Sequence, residues 1–336
     1  MNSPTPRSAF CALLTAFALI GISNGIAAQE TSPTVSEEFY SAKRIVILGS
    51  SNTHSGEYVA QLESALLAQV SPAPEIINLG LPSETTCGLS EPIHPFPRPN
   101  VLDRLDDVLS KTKPDIVIAG YGMNDGVYHP FDETRFKTFQ NGTTDLIRKV
   151  NAAGAKLILL TPPPFDPLPY RKQGKLVPAD AKEFSWKTIY ERYDEEVIAK
   201  NAQWVLDNGT NAWIVRDVYA PMKNRLLERR KTEPEFSFTN DGVHFTKTGH
   251  KVFAEVLIKA IGLQSKTEES KSITLPLCEN EALIELVRKR QQLSHAAWLS
   301  HVGHQRPGIK PGLPMEELKT QVDPLTQQIQ TLLEKK

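Results

Sequence analysis

Five short apolar runs recur along the chain: RIVILG (44–49), EIINLG (75–80), DIVIAG (115–120), AKLILL (155–160) and AWIVRD (212–217). Each is rich in β-branched residues and nearly continuous in its apolarity. That pattern marks strands buried on both faces, as in a parallel sheet. Between the runs lie stretches with helical spacing, at 57–69, 100–110, 132–152, 182–205 and 247–261. Strands alternating with helices predict βαβ units and a three-layer α/β domain over about 40–263.

Two connections are long and rich in proline: GLPSETTCGLSEPIHPFPRP (80–99) and TPPPFDPLPYRKQGKLVP (161–178). Each follows the carboxyl end of a strand, where open α/β sheets place their binding crevice. After residue 263 the composition shifts. A polar linker, QSKTEESKS, leads to two helical stretches at 279–300 and 315–333. In the second, Leu318, Val322, Leu325, Ile329 and Leu332 are spaced as a heptad seam. Residues 264–336 therefore read as a linker and a C-terminal helical hairpin, packed on the α/β domain or on a second copy of the chain.

The N-terminus reads differently. Arg7 precedes an apolar run over 9–22, and small residues follow it, ending in GIAA (25–28). This is the pattern of a secretory signal peptide, 1–28, and the run is short for a transmembrane helix. Secretion or a periplasmic location follows as an expectation, with no membrane span once the signal is removed. Loss of Arg7 would leave 37 basic and 39 acidic residues. Neither balance suggests a nucleic-acid partner. Cys11 would leave with the signal. Cys87 and Cys278 remain, either paired or as separate thiols. His295, His301 and His304 lack the spacing and acidic neighbours of a metal site, so no metal is expected there. Asn141 and Asn208 stand in glycosylation sequons, which matter only in a glycosylating host.

The candidate chemistry sits at the ends of the strands. Ser51, in GSSNT (49–53), follows the first strand and precedes a helix; the same position also suits a helix N-cap. Asn78-Leu79-Gly80 ends the second strand, where a glycine can present a free amide. YGMNDG (121–126) follows the third and offers the neutral donor Asn124, with Asp125 and Gly126 able to form a turn. TNDGVHFTKTGH (239–250) precedes the last helix of the domain. Its Asp241 and His244 are spaced so that a carboxylate can hold one imidazole nitrogen and leave the other as a base.

Taken together, these four blocks resemble the SGNH hydrolase superfamily, the GDSL-type esterases. The resemblance runs through GSSNT, NLG (78–80), GMND (122–125) and DGVH (241–244). It implies a flavodoxin-like α/β/α sandwich with a five-stranded parallel sheet. It makes Ser51 the nucleophile, His244 the base and Asp241 its orienting carboxylate. The Ser51 and Gly80 amides and the Asn124 side chain would form the oxyanion hole, and no metal or organic cofactor is implied. One residue departs from the pattern, since Ser50 stands where the family usually has aspartate. That puts efficiency in doubt and creates an adjacent rival nucleophile.

The expected activity is cleavage of an ester, a short acyl or acetyl group on a carbohydrate, through a Ser-His-Asp triad and an acyl-enzyme. The alternative is a non-catalytic glycan-binding relative. Glu84, Arg98, Tyr121 and His129 are the candidate substrate-binding residues. His94, Phe165 and Tyr170 are further candidates for the walls. Homo-oligomerisation through the C-terminal helices is a further expectation.

Overall fold

The computed structural model describes Met1, residues 34–265 and residues 273–335. Met1 apart, the expected signal segment lies outside them. The strands in chain order are β1 (Arg44–Gly49), β2 (Glu75–Asn78), β3 (Ile116–Gly120), β4 (Lys156–Leu160), β5 (Leu176–Val177), β6 (Ile189–Tyr190) and β7 (Ile214–Arg216). Five of them form one parallel sheet in the order β2-β1-β3-β4-β7, while β5 and β6 make a separate parallel pair.

The helices are α1 (Val35–Ser41), α2 (Ser51–His54), α3 (Glu57–Gln69), α4 (Leu105–Thr112), α5 (Glu133–Ala152), α6 (Pro167–Lys172), α7 (Ala199–Asn208), α8 (Tyr219–Arg230), α9 (Lys247–Ile261), α10 (Glu281–Val302) and α11 (Met315–Glu334). Successive strand residues point to opposite faces. Ile45, Ile47, Ile116, Ile118 and Ile158 pack with Val59 and Leu62 of α3 and Phe253 and Leu257 of α9. Val46, Leu48, Val117, Leu157 and Leu159 pack with Val108 of α4, Leu146 of α5 and Val205 of α7. The result is the expected three-layer α/β/α sandwich.

Local chemistry sets the ends of the helices. Asp132 caps α5 by accepting from the Arg135 amide at 2.8 Å, and Thr246 caps α9 through the Gly249 amide at 3.1 Å. α1 begins ahead of the expected domain boundary. Thr34 and Glu37 form a capping box there, and Phe39 is fully buried.

Two elements depart from the sequence pattern. The helix expected over 182–205 starts only at 194. Ser185 and Thr188 exchange backbone hydrogen bonds in a tight turn, and Ile189–Tyr190 pairs as strand β6. α8 has no clear counterpart in the pattern, because only Met222 and Leu226 of its twelve residues are buried.

The C-terminal helices form the expected hairpin on the α/β domain. Trp298, Leu299 and Val302 of α10 join the core beneath the sheet. Ile329 of the heptad seam packs within the chain, with Leu283, Ile284 and Val287 of α10. Cys87 and Cys278 are free thiols. Among the described residues no helix is long and apolar enough to cross a membrane.

Candidate active site

Strand register brings three of the four blocks together. Gly49 pairs with Gly120, and Ile47 pairs with Asn78, so the carboxyl ends of β1, β2 and β3 lie side by side. Ser50 follows β1 and Ser51 opens the single turn of α2, half-buried. Asn78 fastens that turn, donating from Nδ2 to the Thr53 carbonyl at 2.8 Å. Gly80 is a glycine for a related reason. A Cβ there would fall 2.4 Å from the His54 amide nitrogen, so the backbone of α2 occupies the space that a side chain would need. The sequence suggested a free amide at Gly80; instead it donates to Asn78 Oδ1 at 2.9 Å in an Asx turn.

The fourth block is a tight loop closed by a bridge between Thr239 and Phe245. Gly242 adopts φ +79°, and a Cβ there would fall 2.4 Å from the Asp166 carbonyl oxygen. His244 Nδ1 lies 2.6 Å from Asp241 Oδ2. The other carboxylate oxygen accepts from the amides of His244 at 2.8 Å and Val243 at 3.1 Å. Burial alone would raise the Asp241 carboxyl, but the His244 hydrogen bond and charge outweigh it and hold it below the usual carboxylate range. A carboxylate so held fixes the proton on Nδ1 and leaves Nε2 as an acceptor.

Asn52 joins this loop to α2. Its Nδ2 donates to the Val243 carbonyl and its Oδ1 accepts from the Phe245 amide, so one side chain grips both neighbours of His244. Asn52 had no assigned role in the sequence reading. The signal was a polar residue directly after Ser51.

Asn124 is buried beyond β3. Tyr128 Oη donates to Asn124 Oδ1 at 2.9 Å, and Asn124 Nδ2 donates to the Glu84 carbonyl at 3.1 Å, which fixes the orientation of the amide. The buried Asp125 carboxylate accepts from the Thr86 amide and hydroxyl and from the Gly122 amide, tying this block to the 80–99 loop. Val127 and Tyr128 adopt φ +46° and +62°, left-handed backbone that is costly for these residues. A cavity of about 40 Å³ is lined by Ser50, Asn52, Tyr121, Asn124, Pro162 and Val243, among others. Ser51, Gly80 and His244 are not part of its lining.

The four candidate substrate contacts separate into two groups. Glu84 and Tyr121 line the cavity, but the Glu84 carboxylate is engaged bidentately by Arg104 and also accepts from Tyr121 Oη. Arg98 is buried and bound bidentately to Glu91, with its guanidinium 5.4 Å from the Tyr128 ring centroid. His129 donates to the Val127 carbonyl and stacks near Phe184. Arg98 and His129 are therefore committed to holding loops and do not reach the cavity.

Of the further wall candidates, His94 bonds the Phe96 carbonyl and Phe165 is buried against Tyr170. Tyr170 Oη donates to the Trp186 carbonyl at 2.6 Å. Trp186, absent from the sequence reading, exposes 41% of its surface.

The carboxyl edge of the sheet thus carries Ser51 on a turn that Asn52 ties to the loop of Asp241 and His244. Residues 47–252 match the family model of the GDSL-like Lipase/Acylhydrolase family, and the chain belongs to that family. No curated protein matches the sequence. Among solved structures, one similar chain is a gut microbial diltiazem-metabolizing enzyme, 19% identical, with a TM-score of 0.48. That match covers 68% of this chain and 48% of the other, so this chain spans about half of that protein. A mutant acetyl-xylooligosaccharide esterase from Geobacillus is 18% identical, with TM-score 0.47 and coverage of 67% and 97%. A psychrotrophic esterase from Pseudoalteromonas is 21% identical, with TM-score 0.43 and coverage of 65% and 96%.

Proposed function

We propose that the chain is an exported serine esterase in which Ser51, His244 and Asp241 form the catalytic triad. The observation that carries this reading is the Asp241–His244 contact, held one side chain away from Ser51 by Asn52. His244 Nε2 takes the Ser51 hydroxyl proton as Oγ attacks the ester carbonyl. The tetrahedral intermediate collapses as His244 returns that proton to the departing alcohol. Water, deprotonated by the same imidazole, then releases the acid from the acyl-enzyme. Developing charge on the carbonyl oxygen falls to the Ser51 amide, the Asn124 side-chain amide and the Gly80 amide. The last of these is shared with Asn78. Export rests on the N-terminal pattern at 1–28.

The substrate proposal is a short acyl group, acetyl in the first place, on a carbohydrate. The cavity that reaches Asn124 and the residues flanking Ser51, Ser50 and Asn52, supports a small acyl group, since about 40 Å³ corresponds to roughly three waters. Trp186 supports the sugar. It is an exposed ring on a backbone fixed by Tyr170 and by Glu91, whose Oε1 accepts from the Trp186 amide at 3.2 Å, and it offers a flat stacking surface.

The test is hydrolysis of p-nitrophenyl esters of increasing chain length beside acetylated oligosaccharides. Acetate preferred over octanoate, with Trp186→Ala raising KM for the oligosaccharide alone, is the expected result. No turnover of any ester would instead favour a glycan-binding module.

A further inference from the structure

The C-terminal extension grips the edge of the sheet in a regular way. β2 is an edge strand. Its residue Glu75 and Leu79, just past its end, donate to the carbonyls of Lys43 and Ile47, so the carbonyls of 76 and 78 face outward and lack a strand partner. α10 supplies the donors. Gln291 Nε2 bonds the Ile76 carbonyl at 2.9 Å, and His295 Nδ1, one helical turn later, bonds the Asn78 carbonyl at 2.9 Å. The series continues past the strand. His54 Nδ1 lies 3.2 Å from the Gly80 carbonyl, and Arg306 Nε bonds the Pro82 carbonyl at 3.1 Å. Side chains thus meet the alternate carbonyls 76, 78, 80 and 82.

His295 also reaches the nucleophile turn. The Asn78 carbonyl can only accept, so His295 carries its proton on Nδ1. Its Nε2 then accepts from His54 Nδ1 at 2.9 Å, and that one N–H is shared with the Gly80 carbonyl. Burial, with the charges of His54, Arg104 and His304, depresses His295 to about 4 and keeps the ring neutral. One buried imidazole therefore connects the strand that carries Gly80 to the turn that carries Ser51.

We infer that His295 is a positioning residue for the hydrolytic site. It fixes α2 against the end of β2, so that Ser51 and the Gly80 amide hold their relative places. This rests on the reading of Ser51 and Gly80 given above. It gives α10, which lies beyond the family match at 47–252, a positioning role at the site.

Three substitutions test it. His295→Leu removes both bonds while filling similar volume. His295→Asn keeps a donor near the Nδ1 position and loses the acceptor for His54. Gln291→Leu breaks the same brace farther from the site. Two readouts are needed, steady-state hydrolysis of p-nitrophenyl acetate and amide hydrogen exchange over 76–84.

His295→Leu is expected to lower kcat by about tenfold or more with KM within about twofold, and His295→Asn to recover part of that loss. Gln291→Leu should lower the melting temperature yet keep kcat within about twofold of the parent. If kcat is unchanged in His295→Leu, or falls equally in both leucine variants in step with melting temperature, the inference is overturned. If the parent hydrolyses no ester, the functional reading fails separately. Exchange then decides the brace: faster exchange over 76–84 in His295→Leu sustains it, and unchanged exchange overturns it.

Discussion

Asn52 Nδ2 lies 2.9 Å from the carbonyl oxygen of Val243, and Asn52 Oδ1 accepts from the Phe245 amide at 3.0 Å. The side-chain amide thus bonds the chain on both sides of His244, as a neighbouring strand would. Because Asn52 is joined by one peptide bond to Ser51, it ties together the proposed nucleophile and the loop of the proposed base. Asn52→Leu is expected to lower kcat by on the order of ten- to a hundredfold with little change in KM. Steady-state kinetics checks this. An unchanged kcat would show that His244 is placed by its own loop.

Asp241→Asn should be more severe. The amide can no longer hold the Nδ1 proton, so the imidazole presents the wrong tautomer to Ser51. A fall in kcat of about 10⁴-fold is expected, with the fold intact by circular dichroism. Activity within about tenfold of the parent would mean that another group orients His244.

Stability should depend on acid through two buried histidines. His295 and His250 lie at about 4 in the folded chain against 6.5 for the free side chain. Burial is the main cause for both, and His244 adds a smaller charge effect at His250. The unfolded chain therefore binds more protons between those values, and stability falls as pH drops through that window. The slope is about 1.4 kcal/mol per pH unit for each histidine. Denaturant unfolding at pH 7, 6 and 5 measures it, and replacing His250 with leucine should flatten the curve.

Arg104 and Glu84 should matter for stability rather than for recognition. Arg104 is buried, holds Glu84 bidentately and donates to the Leu79 carbonyl beside Gly80. Arg104→Leu strands a buried carboxylate and is expected to cost about 3–5 kcal/mol of unfolding free energy. Chemical denaturation checks the value. Full stability with a raised KM would return Glu84 to the substrate pocket.

The elements most legible in the sequence were those whose signal is local. The five sheet strands and α3 and α9 follow from runs of β-branched residues and from apolar spacing, and their observed bounds differ from the pattern by no more than a few residues. The stretch 182–193 misled because buried Ile189 and Tyr190 stand four and three residues before Tyr193, itself four before Val197, and so extend the helical spacing back into what is a short strand. In the site, the spacing of Asp241 and His244 was legible because both lie in one tight loop. The roles of Asn52, Asn78 and His295 were not, since each depends on a partner more than twenty residues away. Arg98 and His129 read as pocket residues because composition cannot reveal that Glu91 and the Val127 carbonyl already engage them.

Two adjacent serines, Ser50 and Ser51, make the identity of the nucleophile directly testable. The mature protein should be incubated with an activated alkyl phosphonate ester and its peptides weighed, beside Ser51→Ala and Ser50→Ala. One phosphonyl adduct is expected, on Ser51, absent from Ser51→Ala and retained in Ser50→Ala. An adduct on Ser50, or none on a folded protein, would contradict it.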